Sequence, residues 1–247
     1  MIVKTERERD GMRKASRIVK AALDAAEAFI KPGVTTVEID GVIESKIREL
    51  GAIPSTKGFE GYPNASCISV NDVVVHGIPS LQTIKDGDIV SVDITALLNG
   101  YQGDAARTFA VGNASAADIA LIAAAKAAFD AGMEYARAGN RVGDISSAVQ
   151  LYTELHGFGV VRALTGHGIG HKMHEPPEVP NFGRRGTGAP LKAGMCICVE
   201  PMITAGDWRV FIERDGWTVR TTDRKKAAHY ENTIIINEDG APEILTL

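Results

Sequence analysis

Residues 85–93 read KDGDIVSVD and residues 192–200 read KAGMCICVE, so one pattern occurs twice in this chain. Each copy has a glycine turn and then a mainly apolar strand that ends on a carboxylate, Asp93 in the first copy and Glu200 in the second. From position 93 to position 200 the interval is 107 residues. The repeat therefore predicts an acidic side chain at the same place in two related strands.

A second repeat has almost the same interval. Residues 33–51 and 139–157 are each bounded by glycines, and they lie 106 positions apart. Two unrelated segments that repeat at one interval indicate a duplicated half of about a hundred residues. No linker rich in Pro, Gly or Ser separates the halves, so we expect one catalytic domain over residues 1–247, with halves of roughly 6–111 and 112–247. Halves that meet at an axis bring their carboxylates together, and clustered carboxylates usually hold a cation.

The composition is that of a globular protein and excludes several classes of function. Hydrophobic residues make up 45% of the chain and charged residues 23%, which is enough for a full core. A net charge of −4 provides no basic surface for nucleic acid or an anionic membrane. The sequence shows no apolar signal segment and no membrane-spanning run. We therefore expect a cytoplasmic monomer with three reduced cysteines, Cys67, Cys196 and Cys198.

The pattern of apolar residues predicts alternating helices and strands. Apolar positions between Met12 and Phe29 have helical spacing, and Thr35 with Glu38 forms a possible capping box for a second helix. The second half repeats this order, with an Ala-rich helix over about 115–138 and then a further helix. Strands are predicted at roughly 65–75, 88–97, 101–111, 195–203, 208–221 (as a hairpin) and 229–237. We expect an α+β fold whose helices cover one face of a curved, mainly antiparallel sheet.

The first acidic pair can be located by strand register. Asn99-Gly100 is a strong signal for a two-residue hairpin turn. That turn pairs Asp93 with Ala106 and makes Asp104 the diagonal neighbour of Asp93 on one sheet face. Diagonal neighbours lie roughly 7–8 Å apart, a gap that two carboxylate side chains can close around a shared ion. The alternative is that one of the two points to solvent at a strand end.

A histidine-rich stretch adds a different type of ligand. Residues 166–177, GHGIGHKMHEPP, place three histidines in a predicted glycine-rich loop, and imidazole is the commonest nitrogen ligand of metals in proteins. His167 and His174 are candidate site residues, whereas His171 receives no role. Glu231 follows Glu200 along the chain as Asp104 follows Asp93, so we interpret it as a fifth ligand. Its alternative is an ordinary charge at a strand end.

These residues resemble the methionine aminopeptidase family in order and approximate spacing, from about position 6 to position 247. The matching motifs are NDVVVHGIP at 71–79, VD at 92–93, GD at 103–104, GHGIG at 166–170, HE at 174–175, VEPM at 199–202 and YE at 230–231. The resemblance implies the pita-bread fold, with two pseudo-symmetric halves. His174 and Glu200 are too close in sequence for the helical insertion of type II members, so the chain is similar to type I.

The resemblance also implies two divalent metal ions per chain. Asp93 binds one ion, His167 and Glu200 bind the other, and Asp104 and Glu231 bridge both. Four carboxylates and one imidazole suit Mn, Fe(II) or Co better than a structural zinc ion, although Zn remains open. The nucleophile is then a metal-activated water.

The resemblance to the family also implies catalytic and substrate-binding roles for individual residues. The resemblance assigns His76 and His174 to substrate binding and to the developing charge, and Glu200 is our candidate for proton transfer. His156 and His229 are expected to be ordinary structural or surface histidines.

The methionine pocket should be apolar with a polarizable rim. Tyr62, Cys67 and Trp217 match the family's pocket, and Phe59 and Met173 stand where other members often have different aromatic residues. The alternative for each of these residues is that it only packs in the core and does not contact substrate.

The expected function is removal of the initiator methionine from nascent proteins whose second residue is small. N-termini of nascent polypeptides are then the substrates, with a transient ribosome contact as a further possibility. An Xaa-Pro aminopeptidase or dipeptidase of the same fold is one alternative, but those families usually carry an N-terminal domain for which there is no room before Glu6. A catalytically inactive binding module is another, and it is disfavoured because all five ligands are present.

Overall fold

The four helices of the chain form two equivalent pairs. The computed structural model describes residues 1–247, and its helices are α1 (Glu6–Phe29), α2 (Thr36–Glu49), α3 (Ala116–Met133) and α4 (Val142–Leu155). Both ends of α4 lie 106 positions after those of α2, as the repeat predicts. None of the helices is both long and apolar enough to cross a membrane.

Fifteen strands, most of them short, accompany the helices. They are β1 (Ile53–Pro54), β2 (Cys67–Val70), β3 (Val73–Val75), β4 (Ile89–Leu98), β5 (Tyr101–Ala110), β6 (Gly159–Val160), β7 (Thr165–Gly168), β8 (Glu175–Pro180), β9 (Cys196–Val199), β10 (Met202–Thr204), β11 (Val210–Ile212), β12 (Val219–Thr221), β13 (Ala227–His229), β14 (Asn232–Ile235) and β15 (Glu243–Ile244). A short 3₁₀ turn occupies Phe59–Gly61.

Local sequence explains where the helices begin and end. The predicted capping box of α2 is confirmed, because the Glu38 N–H donates to the Thr35 hydroxyl and the Thr35 N–H donates to the Glu38 carboxylate. The predicted end of the Ala-rich helix near position 138 is wrong, since α3 stops at Met133. Beyond Met133 the chain turns tightly, yet Ala136 is still buried, so the apolar spacing continued past the helix.

All strand pairs are antiparallel, as expected, but they form four hydrogen-bonded groups. One group has the order β1-β4-β2 with β5 on the other side of β4, and a five-stranded group has the order β15-β14-β9-β7-β8. The remaining two are β13-β10-β6 and β11-β12-β3, the latter containing the predicted hairpin. The pita-bread fold with mixed helices and antiparallel strands is confirmed.

The single strand predicted at 65–75 is interrupted, because β2 and β3 are separate strands in different sheets. Two further predicted strands are interrupted, and each of those interruptions contains an acidic residue of the predicted site. The strand predicted at 195–203 breaks at Glu200 and Pro201, where the chain passes from β9 in one sheet to β10 in another. The strand predicted at 229–237 breaks at Tyr230 and Glu231, where the chain passes from β13 to β14. Two of the site's carboxylates therefore lie at corners between sheets.

The histidine-rich stretch is also more ordered than predicted. Its first residues belong to β7 and its last residues belong to β8, and only the segment between them is a loop. His167 is thus a strand residue, while His174 directly precedes β8.

Each half has its own apolar core beneath its helices. In the first half α1 and α2 pack on β4 and β5 around residues such as Ile39 and Ile94, and in the second half α3 and α4 pack around residues such as Phe129 and Ile197. Hydrogen bonds join the halves, for example from the Asp104 N–H to the Thr233 hydroxyl at 3.1 Å. The helices therefore support the two halves from outside and leave their seam to polar residues.

Candidate active site

The predicted register of β4 and β5 is confirmed. Asp93 is the cross-strand partner of Ala106, and Thr95 is the partner of Asp104, so the two aspartates are diagonal neighbours. Asp104 is buried, and its side chain accepts a hydrogen bond from Thr95 at 3.4 Å. Neither aspartate points to open solvent, which removes the strand-end alternative.

The second half brings its own carboxylates to the same place. Glu200 and Glu231 are both buried, and each stands at a corner between sheets. His167 Nε2 lies 3.7 Å from an oxygen of Asp104 and 3.7 Å from an oxygen of Glu200, so the imidazole bridges the two halves. The five predicted ligands therefore form one cluster at the seam.

The orientation of His167 leaves one nitrogen free for the cluster. Its Nδ1 lies 2.9 Å from the carbonyl oxygen of Gly168, which can only accept a hydrogen bond. Nδ1 therefore carries the proton, and the lone pair of Nε2 faces the carboxylates. This arrangement is typical of a metal-binding histidine, whose second nitrogen is tied to a carbonyl.

Burial and mutual repulsion strongly perturb the four carboxylates. Burial raises the pKa of Asp93 to about 7. Burial, followed by the charges of neighbouring carboxylates, raises the pKa of Asp104, Glu200 and Glu231 well above their ordinary values. Buried like charges in one cluster are unfavourable unless a cation compensates them. The donor set therefore fits divalent metal ions with oxygen-rich coordination.

One thiol in the cluster was not predicted. Ligand atoms of Asp104, His167, Cys198 and Glu231 all lie within 4.8 Å of one another. Burial, with the nearby carboxylates, raises the pKa of Cys198 well above its usual value, so the sulfur stays protonated. A thiolate is needed for metal ligation, and Cys198 is therefore a neutral neighbour of the site and not a sixth ligand.

The cluster forms the floor of a cavity of about 790 Å³, whose walls include the predicted substrate residues. The ring of His174 stands perpendicular to that of His167, with 4.4 Å between centroids, and Phe59 packs on the other side of His174 at 5.2 Å. Burial lowers the pKa of His76 to about 4, and burial also lowers the pKa of His174. Both imidazoles are thus neutral near pH 7 and can donate or accept one hydrogen bond each.

An apolar recess opens from the same cavity. The rings of Tyr62 and Trp217 meet edge to face at 5.1 Å, and His76 stands 6.3 Å from Trp217. Cys67 is the cross-strand partner of Asp93, which places the thiol beside the metal-ligand cluster. Met173 completes the set of predicted pocket residues, all of which line the cavity.

Comparison with known proteins agrees with this geometry. The model of metallopeptidase family M24 matches residues 10–238. The chain belongs to this family. Methionine aminopeptidase of Clostridium perfringens is 51% identical over 247 residues, covering all of this chain and 99% of the relative.

Solved structures of M24 proteins give the same result. The crystal structure of methionine aminopeptidase from Rickettsia prowazekii superimposes with a TM-score of 0.97 at 41% identity, and each chain covers the other completely. Prolidase from Pyrococcus furiosus matches with a TM-score of 0.77 at 25% identity, and this M24 chain spans 65% of that protein. The two methionine aminopeptidases therefore resemble the chain over their whole length, and the prolidase resembles it over part of its own length.

One histidine that we expected to be ordinary lies in the cavity wall of this M24 protein. His229 is buried, its Nε2 is 3.9 Å from a Glu200 oxygen, and neither ring nitrogen has a hydrogen-bond partner. Burial lowers its pKa to about 3, so the ring is neutral. Its position two residues before Glu231 was the only sequence signal that could have found it. By contrast, His156 and His171 are exposed and lie outside the cavity lining.

Proposed function

We propose that this chain removes the N-terminal methionine from nascent polypeptides whose second residue is small. The observation that carries the proposal is the direct contact between two features: a buried cluster of four carboxylates and His167, and an apolar recess with Tyr62 and Trp217. A recess of that kind suits an unbranched thioether, because sulfur makes favourable contacts with aromatic edges. The closeness of recess and cluster puts the bond after the first residue over the ligands.

The ligand set would hold two divalent ions, with Mn, Fe(II), Co and Zn as candidates. Asp93 would serve one ion, His167 and Glu200 the other, and Asp104 and Glu231 both. Four ionised carboxylates balance the charge of two such ions, which supports this number. When bound, the ions supply a water of lowered pKa and polarise the scissile carbonyl.

The protein's own residues would orient the peptide and move protons. His76 and His174 are neutral, so each can donate one hydrogen bond to the peptide carbonyl or to the charge that develops on its oxygen. A carboxylate oxygen of Glu200 would accept the proton of the attacking water and later deliver it to the leaving amine. The burial of the cluster keeps bulk water away from these steps.

The methionine side chain would occupy the recess formed by Tyr62, Cys67, Trp217, Phe59 and Met173. The Tyr62 hydroxyl donates to the Gly77 carbonyl at 2.9 Å, so the ring is held in place from behind. A wall fixed in this way would select the first side chain of the peptide by its shape and polarizability and not by its charge.

The substrates would be the N-termini of nascent polypeptides. The enzyme would act in the cytoplasm as a monomer and would contact the ribosome transiently. The net charge of −4 disfavours independent binding to nucleic acid.

A peptide panel tests the proposal. Met-Ala-Ser, Leu-Ala-Ser and X-Pro peptides are assayed with metal-free protein to which Mn, Fe(II), Co or Zn is added. We expect cleavage of Met-Ala-Ser with at least one metal and little turnover of the others. Preference for X-Pro peptides would favour the prolidase-like alternative, and metal binding without any turnover would favour an inactive binding module.

A further inference from the structure

A half-buried arginine lies on the main-chain side of Glu231, next to the carboxylate cluster. Arg107 is on β5, three residues after Asp104, and its guanidinium donates hydrogen bonds in several directions. The acceptors are the carbonyl oxygens of Ala106 (2.8 Å), Glu231 and Thr246 (3.1 Å), and the side-chain oxygen of Asn232 (2.7 Å). The same guanidinium stacks over the ring of Tyr230, 4.2 Å from its centroid. Arg107 therefore contacts three consecutive residues, 230–232, from the opposite half of the molecule.

These contacts of Arg107 lie at a gap between two strands, where regular strand pairing is absent. Glu231 stands between β13 and β14, so no regular pair of strands holds its peptide groups. Its N–H donates to the Ala106 carbonyl at 3.0 Å, and its own carbonyl accepts from Arg107. The main chain at Glu231 is thus fixed by β5 alone, through one backbone bond and one arginine.

Arg107 makes no ion pair with any carboxylate, although burial lowers its pKa. The acidic side chains nearest to it in effect are Glu231 of the cluster and Asp24 of α1. The hydrogen bonds and the stacking contact of Arg107 thus hold the main chain on both sides of this ligand, Glu231.

We propose that Arg107 is a positioning residue, which holds the backbone of residues 230–232 so that the Glu231 carboxylate points into the metal cluster. A lysine could supply the charge but not the planar fork that reaches several acceptors at fixed angles. The inference rests on the proposed metal site. It adds a residue of the first half, Arg107, that fixes the position of a ligand in the second half, Glu231.

The test compares Arg107→Lys and Arg107→Gln with a control, Arg13→Gln. Arg13 also joins the two halves, through Glu243 near the end of the chain, but its hydrogen bonds go to Glu6 and Glu243 and not to residues 230–232. Co(II) is added to metal-free protein, and its visible absorption spectrum and binding heat are recorded alongside thermal unfolding. These readouts do not depend on peptidase activity.

We expect both Arg107 variants to lose about tenfold or more in Co(II) affinity for at least one ion, with an altered absorption band. Their kcat should fall with little change in KM, because the methionine recess is untouched. Arg13→Gln should lower the melting temperature and leave the spectrum unchanged. Asn232→Ala, which removes one acceptor of Arg107, should shift the spectrum in the same direction by less, and it serves if an Arg107 variant does not fold.

Folded Arg107 variants with the wild-type spectrum and affinity would overturn the proposal, as would an equal spectral change in Arg13→Gln. If wild-type protein itself binds no Co(II), the proposed metal site fails and not merely the role of Arg107.

Discussion

The carboxylate cluster makes the metal-free protein sensitive to pH in an unusual direction. Asp93 has a pKa of about 7 in the folded chain, against an ordinary value near 4, and its three partners are raised as well. The folded state therefore binds more protons than the unfolded state, and stability falls as pH rises through this window. In chelator, we expect the free energy of unfolding to drop by a few kcal/mol between about pH 4 and pH 8. Thermal unfolding across pH measures this drop, and added Mn should reverse it; stability that increases with pH in chelator would contradict the prediction.

Removal of one carboxylate should separate stability from activity. Asp104→Ala or Glu231→Ala deletes a proposed bridging ligand, so turnover should fall to near background while circular dichroism stays native. In chelator the variant should be more stable than wild type, because one repulsive charge is gone. Asp40→Asn is the matched control: Asp40 is also buried, but it accepts from Asn64 and Ser66 outside the cluster. That variant should lose stability and keep metal binding. A folded Asp104→Ala protein with undiminished turnover would exclude the bridging role.

The histidines should divide into metal-binding and substrate-binding groups. His167→Ala removes the Nε2 lone pair that faces two carboxylates, so calorimetry should show weaker metal binding. His174→Ala and His76→Ala should bind metal normally and turn over slowly, since these rings line the cavity without contacting Asp104 or Glu200 at ion-pair distance. His171→Ala is the control and should change neither quantity, because His171 does not line the cavity. Weak metal binding in His174→Ala with normal binding in His167→Ala would mean that the two roles are exchanged.

At the level of elements, the β4–β5 hairpin was predictable because its turn chemistry is local. Asn99 and Gly100 both have positive φ, +50° and +84°, as a tight hairpin turn requires. Gly100→Ala should therefore cost about 1–2 kcal/mol in the free energy of unfolding and spare activity, because the turn is remote from the cavity. Gly103→Ala should cost more, since a Cβ there would lie 2.7 Å from the backbone of Ser16 in α1. Urea denaturation of both variants tests the order, and equal losses would show that α1 can move away.

The breaks at Glu200 and Glu231 were not predictable in the same way. Residues 195–199 are all apolar and residues 233–236 are all β-branched, so the pattern of each stretch indicated a continuous strand. Whether a strand passes from one sheet to another depends on partners more than a hundred positions away, such as Ala106 for the N–H of Glu231. Local pattern contains no information on those partners. The same limit applies to α3, whose apolar spacing continued beyond its last helical residue.

For the whole molecule, the duplication of the sequence was the main basis for predicting where the carboxylates lie. Equivalent positions in two halves, Asp93 and Glu200, indicated that carboxylates would meet at a seam, and in the structure both residues line one cavity. Residues that contribute through packing across the seam were missed, namely Cys198, His229 and Arg107. Their types are common in cores and on surfaces. Only the assembled halves show that Cys198 and His229 lie beside the carboxylates and that Arg107 binds the main chain of Glu231. Sequence repeats therefore locate the ligands of such a site better than they locate its supporting residues.

Specificity depends on how the two halves jointly shape the cavity, because the same fold also matches a prolidase. The recess with Tyr62, Cys67 and Trp217 should accept methionine and norleucine and cleave Ala-Ala-Ser poorly, since a missing methylene in an apolar pocket costs about 1–3 kcal/mol. We expect the second residue of the peptide to lie against the cluster and His76, both of which line the cavity, so Gly, Ala and Ser should be favoured over Leu or Arg.

The measurement is kcat/KM for Met-Ala-Ser, norleucine-Ala-Ser, Leu-Ala-Ser and Met-Leu-Ser under one metal condition. Trp217→Ala should weaken the preference at the first position, because it removes the aromatic edge that faces Tyr62 at 5.1 Å. The second-position preference should remain in that variant, since Trp217 stands on the recess side of His76. Comparable kcat/KM for Met-Ala-Ser, Met-Leu-Ser and Leu-Ala-Ser in the wild type would contradict both preferences and identify a broad aminopeptidase instead.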